Sequence, residues 1–444
     1  MLKKIICQIR KNPIVRASLL LSAITVLVKV AGYAEKILLA YYWGTGYEAD
    51  ACNAIFAFIF SIFVFFREII EPGFLNTFLK ARHESGERNA WHVFFSVFRL
   101  IFPAGIFVSL GLFLFPNQIV HGVLPGFSGE RFELTSRLIR YASLTCIFMI
   151  PSTLTYITLT AYKRFTPAAI GDLVFKLGIV ICILLFAGRA SIFSAVYGMV
   201  CGAIVKLAVH GIALRKNMSF KNTGIHSKYI RAVWVLAWPL LIGIIFSQIS
   251  TLTDNVFASY LQEGSISALN YAKKVVELPV VVFPYALSIV VFPFFSELHI
   301  EKNMHRSRKL LRETLKWITV VFIPLAVLLF FFSDTVTQLV FQRGAFDDSS
   351  TGLTSAPLAV YALGMPAFAI ETVLVIFYFS VADTKTPVFT GICCAVINIV
   401  LTWILVQYIG HTGIAWGLVV SKTLKVSILL YLLRYKFNKK TAAA

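Results

Sequence analysis

Three stretches of this chain, Ile101 to Phe115, Ile179 to Ala187 and Trp317 to Phe332, contain no charged residue. Runs of this kind belong in hydrocarbon, which a helix crosses with about 20 apolar residues. Composition agrees: 58% of the 444 residues are hydrophobic and 14% are charged, whereas soluble domains sit near 45–50% and about 25%. The chain therefore reads as all-α, a polytopic membrane protein. The apolar segments fall at 17–43, 51–79, 90–115, 134–161, 167–188, 190–214, 230–260, 267–297, 309–333, 353–381, 387–409 and 412–435, about twelve spans. The basic leader Met1 to Arg16 enters a hydrophobic stretch too long for a signal peptide and without a small-residue cleavage site. It is expected to remain as the first span.

The net charge of +20 comes from 41 Lys+Arg against 21 Asp+Glu. Such a balance can mark nucleic-acid binding, but alternate loops of a membrane protein collect cations too. One set of loops holds Lys3, Lys4, Arg10, Lys11, Arg16, Lys80, Arg82, Arg88, Lys163, Arg164, Arg215, Lys216, Lys302, Arg306, Lys385, Arg434 and Lys436. The opposite set holds Arg131, Arg189 and Arg343 among Glu48, Asp50, Glu130, Glu263, Asp347 and Asp348. A miscounted span would exchange the two sets partway along. None does, so both termini are expected in the cytoplasm and no nucleic-acid partner is needed.

The chain repeats itself at a shift of about 220 residues. Tyr141-Ala142 and Thr166-Pro167 recur as Tyr361-Ala362 and Thr386-Pro387, Tyr197-Gly198 recurs as Trp416-Gly417, and Glu35 falls opposite Asp254. Six spans per half is an even number, so the halves point the same way. The expected organisation is an N-terminal lobe at 1–216, a cytoplasmic linker at 217–228 and a C-terminal lobe at 229–444. Parallel repeats of this kind suit two lobes around a central cavity, working by alternating access.

Ionisable groups inside spans cost about 2.5–3.5 kcal/mol each on insertion scales, and so tend to face water or one another. They are densest in the first two spans of each half: Lys29, Glu35, Lys36, Arg67, Glu68 and Glu71, then Asp254, Lys273, Lys274 and Glu277. Asp50 stands at the head of the second span. Lys29, Arg67, Lys273 and Lys274 would line a wet cationic cavity. Such a cavity prefers an anion, Arg through its planar donor fork and Lys as a point charge. Glu35, Asp50, Asp254 and Glu277 would hold these cations in place, or take up H+ or Na+ as a coupling ion. Arg99, Lys176, Lys206 and Lys425 are expected to snorkel toward the interface. Pro239, Pro279, Pro284 and Pro293 favour bending, and Gly32 allows a break beside the first charge cluster.

Enzyme signatures are missing. The sequence has no P-loop, GxSxG or HExxH, and its eight histidines are scattered. Six of the seven cysteines lie in apolar runs with no CxxC. Neither a catalytic residue, a metal site nor a cofactor is expected.

Asn270-Tyr271-Ala272-Lys273-Lys274-Val275-Val276-Glu277-Leu278-Pro279, followed by Phe292-Pro293, resembles the eighth-helix signature of the MurJ (MviN) family of lipid II flippases, in the MOP exporter superfamily. Phe341-Gln342-Arg343-Gly344-Ala345-Phe346-Asp347 and Asp383-Thr384-Lys385-Thr386-Pro387 are similar to the same family's stretch around helix ten. The resemblance implies a bacterial cytoplasmic-membrane flippase. Its cargo would be lipid II, the undecaprenyl-pyrophosphate-linked precursor of peptidoglycan, carried from the inner to the outer leaflet. The resemblance places the family's basic cavity positions on Lys29 and Lys274 and on or beside Arg67, and its helix-two acid on Asp50. Where the family usually has Arg-Asp in helix one, this chain has Glu35-Lys36. The alternatives are a related MOP exporter of another polyprenyl-linked oligosaccharide or of drugs, a membrane glycosyltransferase acting on the same lipid, and a passive scaffold.

Overall fold

The computed structural model describes residues 13–218, 227–238, 241–301 and 303–442. Helix α1 (Pro13–Trp43) leads into α2 (Tyr47–Leu114), then α3 (Pro116–Val123), α4 (Gly129–Ala142), α5 (Leu144–Ala161), α6 (Phe165–Ala190) and α7 (Phe193–Leu214). The second half holds α8 (Ser227–Ala237), α9 (Leu241–Ser259), α10 (Ser265–Ile300) and α11 (Met304–Phe331). It continues with α12 (Ser333–Phe341), α13 (Asp348–Ser380), α14 (Lys385–Ile409) and α15 (His411–Ala442). Among the described residues there is no strand. Eight of these helices are long and apolar enough to cross a bilayer.

Among the described residues each expected span falls on helix, the seventh on α8 and α9. The second and third share α2, 68 residues long, which leaves helical geometry at Gly86 (φ 83°, ψ 175°). That left-handed φ suits a residue without Cβ. The span expected at 134–161 is built from two helices, α4 and α5, meeting at Ser143. Pro239 and most of the expected linker, from 219 to 226, lie outside the described residues. Gly32 breaks nothing: α1 is a continuous helix through it.

The chain packs as two units. One takes residues up to Leu39 together with Ala51–Gln248, and the other takes Ala40–Asp50 with everything from Ile249 onward.

In the first unit α6 and α7 pack along a seam of glycines. A Cβ on Gly178 would meet the Gly202 Cα at 2.8 Å, one on Gly198 the Ile179 Cα at 2.6 Å, and one on Gly202 the Phe175 carbonyl oxygen at 2.6 Å. With no hydrophobic effect between helices in lipid, close backbone approach is what holds such a pair together. The second unit repeats the device on α14 and α15, where Gly413 and Gly417 press on Leu405 and Thr402.

The second unit also gathers the 40–50 segment. The Ala345 N–H donates to the Tyr41 carbonyl at 2.8 Å, and the Tyr271 hydroxyl donates to the Gly44 carbonyl at 3.0 Å. Gly44, Gly264 and Gly344 all have positive φ here, and each would drive a Cβ to within 2.5 Å of a carbonyl oxygen. Asp347 caps α13 through the Ser350 N–H at 2.8 Å. That bond and the Ser350 and Ser349 hydroxyls hold its carboxyl below the usual carboxylate range.

Replacing Gly202 by valine should force α6 and α7 apart, at a cost of about 1–3 kcal/mol or more. A lowered thermal midpoint of the purified protein in detergent checks this, with Gly188→Ala, which meets open space, as the neutral control.

Candidate functional site

A charged side chain in a lipid-embedded helix must find either water or an opposite charge, and the first unit supplies the second in three places. Glu35, on α1 and 1% exposed, takes Lys176 of α6 on one carboxylate oxygen at 2.7 Å and Lys36 on the other at 3.4 Å. Lys36 in turn donates to Asn53 Oδ1 at 2.6 Å. The Lys176 ammonium also stands 4.5 Å from the Phe60 ring centroid. The same chemistry recurs between α6 and α7. Lys206 is 1% exposed and donates to Asp172 Oδ1 at 2.6 Å, over the ring of Phe63.

Arg67 makes the third pair, within α2. Its Nε–H donates to Glu71 Oε2 at 3.2 Å, one helical turn on, and its guanidinium lies 4.3 Å from the Tyr156 ring centroid. Arg67 and Glu71 each keep about a third of their surface (32% and 34%). An ion pair partly open at this depth in a span needs water beside it, since lipid would not solvate it. Lys29 is half-buried on α1.

The second unit places the remaining residues on α9 and α10. Asp254 stands 3.9 Å from Lys273, and Lys274 pairs with Glu277 at 3.2 Å. Asp254 Oδ1 is buried without a hydrogen-bond partner among the described residues. Further along, Glu371 of α13 receives both Lys422 (2.8 Å) and Lys425 (2.6 Å) of α15.

Asp50 has a different surrounding. Its carboxylate accepts the Gly264 N–H on one oxygen and the Ser267 N–H on the other, each at 2.8 Å. It is fully buried, and it caps the N-terminus of α10, where the helix's own N–H groups have no internal acceptor. The side chain acts here on backbone, from a different helix.

The expected snorkelling is corrected for three lysines. Lys176, Lys206 and Lys425 are all drawn inward onto Glu35, Asp172 and Glu371. An ion pair within the protein satisfies an ammonium that would otherwise have to reach the interface. Arg99 alone of the four is exposed. Tyr156 was not singled out from the sequence: one tyrosine in an apolar run carries no charge and no spacing signal. The Glu71–Arg67 pair was legible at i,i+4 spacing. Among the described residues no cluster of His, Cys, Asp and Glu could hold a metal ion.

A family model described as "Lipid II flippase MurJ" matches residues 39–444. The chain is similar to a probable lipid II flippase MurJ of Borreliella burgdorferi, 25% identical over 434 residues and covering 95% of this chain and 84% of that protein. It is likewise similar to one of Vibrio cholerae, 26% identical over 440 residues, with 94% and 82% covered. A solved structure of lipid II flippase MurJ in an inward closed conformation aligns with TM-score 0.81 and 25% identity, covering 94% of this chain and 87% of that one. An inward-facing multidrug resistance MATE transporter of the MOP superfamily shares the fold, with TM-score 0.80 at 12% identity, covering 94% and 96%.

Removing one member of the Lys206–Asp172 pair should be worse than removing both. Asp172→Leu or Lys206→Met alone strands a charge and should cost about 3–5 kcal/mol, whereas the double variant should recover most of it. Thermal unfolding of the three proteins checks this; equal losses in single and double variants would remove the pair's structural role.

Proposed function

Because the chain belongs to the MurJ family of lipid II flippases, we propose that it carries lipid II from the inner to the outer leaflet, gripping the diphosphate with basic side chains set inside its spans. The protein is a transporter and not an enzyme, and it resides in the bacterial inner membrane with several helices crossing the bilayer. The observation that carries the mechanistic reading is Arg67: a guanidinium in the middle of a span, partly open, with its Nε on Glu71 and its face on Tyr156. Lys29, Lys273 and Lys274 are each proposed as basic positions for binding the anionic substrate. Glu35, Lys36, Asp50 and Asp254 are assigned to the frame that holds those cations, and Asp50 does so through the helix that carries Lys273 and Lys274.

The chemistry supports this assignment. A diphosphate is a compact, doubly charged anion with oxygens spaced for a planar donor fork. Outward movement of about two negative charges in an inside-negative cell is favourable by about 4–5 kcal/mol at 100 mV, when the protein's own charges stay in place. Alternating access, with both termini on the cytoplasmic side, is part of the same proposal. Membrane lipids and lipid II, or a closely similar polyprenyl-diphosphate-linked saccharide, are the partners of this reading.

Neutralising Arg67, Lys274 or Lys29 to glutamine or methionine should lower flipping about tenfold or more, the loss expected for a hydrogen bond to a charged group. Leaflet-resolved detection of lipid II in cells dependent on each variant checks this, alongside unchanged expression and melting. Full activity in all three variants would overturn the reading.

A further inference from the structure

The Arg67 guanidinium is fixed on two sides. Its Nε–H is engaged by Glu71 at 3.2 Å, and its Cζ stands over the Tyr156 ring, 4.3 Å from the centroid. The carboxylate of Asp172 is engaged elsewhere, its Oδ1 held by the Lys206 ammonium at 2.6 Å. The fork's two terminal amino nitrogens form the edge that a phosphate accepts from two-pronged, and the Tyr156 side chain also shares a hydrogen bond with the guanidinium.

Tyr156 is itself backed by a rigid wall. Its ring lies 6.2 Å from that of His210. His210 is fully buried, with Nδ1 on the Thr155 hydroxyl at 2.9 Å. On its other side Gly171 leaves no slack, because a Cβ there would come to 2.2 Å from Nε2. The layers Arg67, Tyr156 and His210 therefore run from α2 through α5 to α7, and the innermost layer is immobilised by packing. An arginine side chain has several rotatable bonds, and a surface one samples many rotamers. Here the ring's negative face and the Glu71 carboxylate together select one plane for the fork.

We propose that Tyr156 is a positioning residue for the anion: its aromatic face orients the Arg67 fork so that the terminal nitrogens present a preformed pair of donors to the diphosphate. The inference rests on the reading above, that Arg67 grips the diphosphate, and adds that the grip depends on ring electrostatics at position 156. Replacing the ring by an aliphatic side chain would leave the charge of Arg67 in place and lose its direction.

The test uses the full-length protein in detergent and farnesyl diphosphate as the probe, with binding measured by calorimetry. Position 156 is changed to phenylalanine and then to mono-, di- and trifluorophenylalanine, which keep the ring's shape while draining its negative face. Tyr156→Phe should bind within about twofold of the parent, and affinity should fall stepwise along the series by about fivefold in all, the size of a partly desolvated cation–π contact. The same series in an Arg67→Gln background should be flat. A flat series with Arg67 present, in proteins whose melting matches the parent, overturns the positioning role. If Arg67→Gln itself binds farnesyl diphosphate as tightly as the parent, the assignment of Arg67 to the diphosphate falls, and the role of Tyr156 with it.

Discussion

A bare ammonium or carboxylate in hydrocarbon costs several kcal/mol, and a lipid-embedded helix has no water to offset that cost. This constraint organises both units. Glu35 is matched by Lys176 and Lys36, Lys206 by Asp172, and Glu371 by Lys422 and Lys425. Most of these partners come from different helices, so each pair fixes which helix lies beside which. A mispacked neighbour would leave two charges uncompensated at once, and the penalty for wrong packing far exceeds the modest net gain from the right one.

The two halves solve the same problem with different residues. Lys206 and Lys425 occupy equivalent places in the last helix of each half, in step with Gly198 and Gly417. In the first half the acid comes from α6 as Asp172. The matching stretch of the second half, Thr390-Gly391-Ile392-Cys393, has no carboxylate, and Lys425 stands within 3.4 Å of where a Gly391 Cβ would be. Its acid comes instead from α13, as Glu371. The lysine is kept by the repeat, while the partner has moved to another helix that borders the same space.

Arg67, on which the proposed grip turns, is paired within its own helix. Its pair with Glu71 lies on one helix and therefore fixes no packing. Both partners keep about a third of their side-chain surface (32% and 34%). In the proposed arrangement Arg67 is oriented by Tyr156, an uncharged residue backed by the His210 ring, whose Nδ1 is engaged by the Thr155 hydroxyl. Asp50 shows the converse. Its charge looks like a site residue, yet both oxygens are committed to the N-terminus of α10, which carries Lys273 and Lys274.

Local information was legible in the sequence. Hydropathy runs placed the spans, a doubling at about 220 residues is visible in the chain, and the cost of intramembrane charge singled out Glu35, Arg67, Asp254 and the lysines. Each of these signals depends on a residue and its near neighbours. Tertiary structure decided the rest. Glu35 and Lys176 are 141 positions apart, and Asp50 and Ser267 are 217 apart. No periodicity links them, so only the packed helices could show that Lys176 is the partner of a buried carboxylate and Asp50 a cap. Tyr156 was invisible for the same reason: its role lies in the plane of a ring against a guanidinium from another helix, and a linear pattern does not encode that plane.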